Sequence, residues 1–356
     1  MQLFSLGKTK SIIGLDIGSS SVKAVECAVR NKRVELLHVG VAPIPAEAIV
    51  QGAFLNSGAI VEAIREAMDS AGIKTKTVAT AVSGHSVIVK KISLPSMTRE
   101  ELEESIRWEA EQYIPFDINE VNLDFQILHG AEMEGQMEVL LVAAKKDLID
   151  DYVHVITDAG LTPAVIDVAA FAVENAFEAN YDLRGEDVVA LVNIGSQVVN
   201  INIVANGAPA FTRDISTGGS AYTEEIQKAL SVSWDEAERM KIGGRGEGDA
   251  QDVVPQEVEE AMRSVTDTVL GEISRSLDFF AATAAESRIG KVFLSGGGAR
   301  ISGLDAAFQH KTNLPVERMN PLSRVTPASR LDEEFLREIA PSLGVGIGLA
   351  LRRMDD

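Results

Sequence analysis

Two short stretches of the chain spell the same device. Leu15-Asp-Ile-Gly-Ser-Ser-Ser and Val192-Asn-Ile-Gly-Ser-Gln-Val each run a buried strand into a polar residue, then Ile-Gly, a small turn and a returning strand. They lie 177 residues apart, with Asp16 answering to Asn193. A two-residue hairpin is usually closed by Asn-Gly or Asp-Gly. Gly18, Ser19, Ser20 and Ser21 instead offer consecutive N–H groups and hydroxyls, which is the material of an anion-binding nest. One such turn is equally well an unspecialised four-residue loop. Two of them, each opening a three-strand meander followed by helices, argue for duplicated halves that hold a ligand between their turns.

The rest of the sequence fits that plan. Strands are expected at 11–17, 21–29 and 33–41, a helix at 57–71 with Ile60, Ile64, Ala67 and Met68 on one face, and a strand from Thr77. Residues 86–163 differ in character and read as an inserted α/β subdomain. It comprises a strand from Val87, a helix opened by a Thr98–Glu101 capping box and stopped by Pro115, strands at 122–128 and 137–144, and a helix at 146–159. Val165 starts a helix over 168–180. The second meander follows, then helices at 219–230 and 234–242, a glycine-rich mobile loop at 243–256, and a long helix at 257–287. A strand then enters Gly296-Gly-Gly, and a last helix covers 341–353. The domains are thus 1–85 with 164–185, the insert 86–163, and 186–356 with a helical subdomain at 219–290.

Composition removes several functional classes. The net charge of −20 repels nucleic acid and anionic membrane surfaces, and only the first ten residues are basic. A single cysteine, Cys27, allows no internal disulfide and no thiolate cluster, and the five histidines are scattered. No signal peptide and no 18-residue apolar run is present, so the chain reads as soluble and cytoplasmic.

A third glycine cluster, Ser295-Gly-Gly-Gly-Ala-Arg, follows a strand and lets a flat ring or ribose approach the backbone. Its spacing is not that of a dinucleotide fingerprint. The three elements in this order resemble the actin-like ATPase superfamily. Asp16 to Lys23 matches its first phosphate loop, Val192 to Gln197 the second, and Leu294 to Arg300 the adenosine motif. The helices at 168–180 and 341–353 match its two interdomain connecting helices. GLDIGSSSVKAVE, the Trp108 to Phe116 segment, IDVAAFAVENAF and RDISTGG resemble the PilM family of type IV pilus assembly proteins more closely than its relative FtsA. No membrane helix of the FtsA kind follows Leu349.

That resemblance implies an α/β actin-like fold of two duplicated domains around a nucleotide cleft, with ATP and Mg²⁺ as ligands. Gly18, Ser19, Ser20, Ser21 and Lys23 would take the β- and γ-phosphates, and Asp16 would hold Mg²⁺ through water. Asp16 has a second role open to it, closing the turn by hydrogen bonds. Asn193, Gly195, Ser196 and Gln197 would form the opposing loop, with Gly218 and Gly219 as a further backbone contact. Glu224 and Lys228 would reach the nucleoside or form an exposed pair one helical turn apart. Gly296, Gly297 and Gly298 would flank adenine and ribose. Asn193 stands where the superfamily carries Asp, and Phe171 where actin orients water, so weak or absent hydrolysis is expected. The implied function is an ATP-binding scaffold at the cytoplasmic face of the inner membrane. It would be held there by the N-terminal tail of PilN and other platform proteins, with no membrane insertion of its own. The alternative is an active ATPase or a sugar-kinase-like phosphotransferase.

Overall fold

The computed structural model describes residues 12–30, 33–128, 135–183, 187–242, 255–284 and 288–352. The chain opens with the meander β1 (Ile13–Ile17), β2 (Ser21–Arg30) and β3 (Arg33–Pro43). A small hairpin follows, β4 (Ile49–Val50) and β5 (Ala53–Phe54), then helix α1 (Ser57–Ser70) and strand β6 (Thr77–Val82). The apolar spacing of α1 puts Ile60, Ile64, Ala67 and Met68 in the core, and the Asn56 side chain caps it by accepting the Ala59 N–H.

Next come β7 (Val87–Pro95), α2 (Arg99–Glu111), β8 (Val121–Leu128) and β9 (Gln136–Lys145). These three strands form a separate sheet in the order β7-β9-β8, closed by α2 over Ile92, Leu94, Leu102, Ile106, Val139 and Leu141. The capping box at Thr98 and Glu101 is present in both directions. Helix α3 (Lys146–Asp158) buries Tyr152, Val155 and Ile156 in the core that holds α1, not in the small one. The block expected at 86–163 therefore divides in its packing after β9.

The expected helix start at Val165 is corrected. Residues 162–168 are a strand, β10 (Thr162–Val168), parallel to β6 with a register shift between Pro163 and Val165. β10 is the edge strand of its sheet, and Val-Ile-Asp-Val is too short an apolar run to carry a period that separates it from a helical turn. Helix α4 (Ala169–Asn180) begins directly after it.

The second half repeats the first: β11 (Val188–Ile194), β12 (Val199–Ala205) and β13 (Ala208–Ile215), then α5 (Ser220–Leu230), α6 (Trp234–Ile242) and α7 (Gln256–Thr283). β14 (Lys291–Ser295), α8 (Leu304–Thr312), β15 (Val316–Arg318), β16 (Val325–Pro327), α9 (Glu333–Ile339) and α10 (Gly344–Ala350) complete it. A 3-10 turn at 340–343 stands where the last helix was expected to begin. The expected loop over 243–254, the end of the long helix at 285–287, the basic N-terminus and the last residues, from 353, lie outside the described residues.

The main sheets run β10-β6-β1-β2-β3-β16 and β13-β12-β11-β14-β15. Each contains the same antiparallel meander with a parallel strand beside its first member, so the duplication holds at the level of topology. Between them lie α4 and α10, in a core shared by Val25, Ala172, Phe177, Leu191, Phe293 and Ile347. Two glycines permit that approach. A Cβ on Gly348 would lie 1.7 Å from the Ala172 carbonyl oxygen, and one on Gly14 would lie 2.0 Å from that of Gly346. Among the described residues, no helix is long and apolar enough to cross a membrane.

Candidate functional site

The two turns superpose in their bonding as well as their sequence. The Gly18 N–H donates to the Ser21 carbonyl at 3.1 Å, and the Gly195 N–H to the Val198 carbonyl at 2.9 Å. Both pairs keep the 177-residue offset. In the strand register Asp16 faces Lys23, and Asn193 faces Asn200. In the first half this pair is ionic, with Lys23 Nζ 3.1 Å from Asp16 Oδ2 and both side chains mostly buried. In the second it is neutral: Asn193 Nδ2 donates to Asn200 Oδ1 at 3.0 Å. Ser295 Oγ donates to Asn193 Oδ1 at 3.2 Å, so both ends of that amide are spent inside the protein.

Asn200 in turn donates to Asp214 Oδ1 at 2.8 Å, and the Gly84 N–H from the first half donates to Asp214 Oδ2 at 2.5 Å. Burial pushes the Asp214 carboxyl up, against the pull of these two hydrogen bonds. Sequence reasoning gave Asp214 no role, although it lies in the RDISTGG stretch. Its partners are Asn200 on the neighbouring strand β12 and Gly84 in the far half, which no local pattern reveals.

The remaining predicted residues fall into three groups. Ser19, Ser20 and Ser21 line the first turn, and their hydroxyls make no hydrogen bond among the described residues. A Cβ on Gly18 would meet the Ser21 carbonyl at 3.2 Å and Lys23 Nζ at 3.7 Å, narrowing the turn. That turn fits a phosphate, with hydroxyls and an ammonium gathered at one bend. Mg²⁺ fits only through water on the Asp16 oxygen that Lys23 leaves free, because the ammonium occupies the other.

The second group packs the second turn. A Cβ on Gly218 would lie 2.5 Å from the Gly195 oxygen, and the Gly219 and Ser220 N–H groups donate to the carbonyls of Gly195 and Ser196 at 2.9 and 2.8 Å. Gly296 is held at φ 85, and Cβ atoms on it and on Gly298 would run into Ile194. Gly297 alone of the cluster is exposed, with open space around it. Gln197 turns to the first half: its Nε2 donates to the Ile49 carbonyl at 2.7 Å and its Oε1 accepts the Gln51 N–H at 2.9 Å.

The third group is exposed. Glu224 and Lys228 both face solvent on α5, and Lys228 lies 3.8 Å from Glu225 rather than beside Glu224. Phe171 is half-buried on α4. On the same helix Glu174 is buried and accepts from Asn202 Nδ2 at 2.6 Å, while Asn202 Oδ1 has no partner among the described residues. Burial pushes the Glu174 carboxyl up to about 7, and the charges of Glu178 and Asp167 add to that.

A family model, "Type IV pilus assembly protein PilM", matches residues 14–354. The chain is 30% identical to a chain of the solved "PilM-PilN type IV pilus biogenesis complex", with a TM-score of 0.86 over 97% of this chain and 98% of that one. It is 24% identical to the cell division protein FtsA of Bacillus subtilis over 64% of its own length, and the match spans 57% of that relative. MreB 5 of Spiroplasma citri, solved bound to AMPPNP, is similar in fold, with a TM-score of 0.51 at 13% identity over 96% of this chain and 95% of that one.

Proposed function

The chain belongs to the family of the type IV pilus assembly protein PilM, and from that membership we propose that it is a nucleotide-binding scaffold that grips the N-terminal tail of PilN. The observation that carries this reading is the likeness to the PilM–PilN chain over almost its whole length. ATP with Mg²⁺ would sit between the two turns. The hydroxyls of Ser19, Ser20 and Ser21, unpaired among the described residues, support phosphate binding at the first, and Lys23, paired with Asp16, adds a point charge. The adenosine would lie along Gly296 to Gly298, where Gly297 is open to it.

The tail of a membrane-anchored partner is biased towards Lys and Arg on the cytoplasmic side, which suits a chain of net charge −20. It would dock as an extended peptide beside the small sheet, by strand addition or pocket filling. The protein would then sit at the cytoplasmic face of the inner membrane through PilN and other platform proteins.

Turnover is expected to be slow. Asn193 brings no charge to a metal and has both amide ends engaged, and Phe171 orients no water. A phosphotransferase would need a base, and Asp214 has both oxygens accepting hydrogen bonds. Four measurements test the proposal on the full chain. A synthetic PilN tail peptide binds in calorimetry, ATP with Mg²⁺ raises the melting temperature, and Ser20→Glu with Ser21→Glu removes that rise. Phosphate release stays below roughly 1 s⁻¹, the low end of ordinary enzymes. A peptide that does not bind refutes the scaffold; release within the enzyme range turns the reading to catalysis.

A further inference from the structure

Residues 44–54 lead from the end of β3 through the β4–β5 hairpin, and they are fastened to both turns. The Ile44 N–H donates to the Ser20 carbonyl at 2.9 Å, in the first turn. Gln197, in the second turn, gives one end of its amide to the Ile49 carbonyl and the other to the Gln51 N–H. An amide supplies a donor and an acceptor together, and here both meet backbone groups across the tip of one hairpin. The offset of 177 residues sets Gln197 opposite Ser20, so equivalent positions of the two turns hold the same segment.

Gln51 and Gly52 turn the hairpin at φ 51 and φ 84, the positive pair that a two-residue loop between antiparallel strands favours. Glu47 stands before it at φ 70, a non-glycine residue in the left-handed region that surrounding contacts must hold. A second tie, from Gly84 to Asp214, joins the halves at a separate point.

We propose that residues 44–54 are a strap across the cleft and that Gln197 is its catch. When the catch lets go, the cleft opens at this rim while the shared core holds the halves together, so Gln197 sets how fast a ligand between the turns escapes. It acts as a positioning residue, through the hairpin and not by touching the ligand. The nature of that ligand rests on the nucleotide reading above; the strap itself does not.

Native-state hydrogen exchange and ligand release on the full chain test this together. In Gln197→Ala, amides of peptides spanning 49–54 exchange about tenfold faster, as expected from losing two hydrogen bonds. The Gly84 peptide, which Gln197 does not touch, accelerates with them because the opening is shared. Release of MANT-ATP with Mg²⁺, chased by unlabelled ATP, quickens by about tenfold while association changes less than about threefold. Gln197→Glu keeps the acceptor for Gln51 but sets a carboxylate oxygen against the Ile49 carbonyl; it too quickens exchange and release, and it replaces the alanine variant should that not fold. Unchanged exchange at Gly84 overturns the shared opening, and unchanged release overturns the role of the catch. If the wild type takes up no MANT-ATP, the nucleotide reading fails, and the exchange at Gly84 alone decides the strap.

Discussion

Glu174 makes the stability of this protein depend on pH in a direction opposite to that of most carboxylates. It lies on α4, between the two sheets, with its oxygen against Asn202 Nδ2. The charges that face it are Glu178 and Asp167, both negative, the latter held by Arg352 Nε at 2.7 Å. A carboxyl raised from about 4.5 to about 7 keeps its proton longer in the folded chain than in the unfolded one. Its stabilising contribution is whole below about 4.5, declines as the pH rises through 7, and is absent above. The difference is roughly 3 kcal/mol, by the cost of one pKa unit. Glu174→Gln is neutral at every pH and still accepts from Asn202. Unfolding of both proteins between pH 5 and 8.5 at fixed ionic strength isolates this group and its coupling to Glu178 and Asp167, because titrations remote from it cancel in the difference. The two melt together near pH 5, and the variant melts on the order of 4 °C higher at pH 8, taking the usual unfolding entropy per residue for a chain of 356. A difference that stays constant across the range refutes the reasoning.

Four further outcomes follow from the packing and the site. Gly348→Ala forces a Cβ into the Ala172 carbonyl and costs more than about 3 kcal/mol, seen as loss of soluble expression or a collapsed melting temperature. Asn193→Asp sets a carboxylate against the Asn200 oxygen, lowering stability by about 1–3 kcal/mol in denaturant titration and leaving phosphate release unchanged. Thr98→Ala removes one side of the capping box and costs about 1 kcal/mol, read as faster hydrogen exchange confined to α2 and its sheet. Asp16→Ala leaves the affinity for the PilN tail peptide within about twofold while abolishing the ATP-dependent thermal shift, if the tail docks beside the small sheet as proposed.

The parts legible in the sequence are those whose causes are local. Gly18 and Gly195 each close a turn on the residue three positions on, so a short string of letters carries the whole geometry. The capping box at Thr98 and the apolar stripe of α1 are likewise complete within one helix. What escaped is non-local. β10 is a strand because β6 lies beside it, and nothing within Val-Ile-Asp-Val says so. Gln197 looks like a phosphate-loop residue until the hairpin at Ile49 and Gln51 is brought against it. Gly296 and Gly298 invite a ligand in the sequence, yet Ile194 is what crowds them in the fold. Glu224 and Lys228 have the spacing of a pair, but Lys228 is nearer to Glu225.

The order in which the chain is made bears on β16. This strand lies at 325–327 yet completes the sheet begun by β1, pairing with β3, and α10 packs on β1 and β2 from residues 344–350. The first half can close one face over α1 and α3 from residues 13–166, but its outer strand and the helix that covers its other face are translated only after the second half's sheet. Until then the edge of β3 and the face of β1 stay open to other chains. The second half has its five strands within 188–318 and can settle earlier. Two domains that share one pattern thus complete their sheets in reverse order, the C-terminal one ahead of the N-terminal one. A nonsense codon after β15 would leave a well-formed second half tethered to an unfinished first.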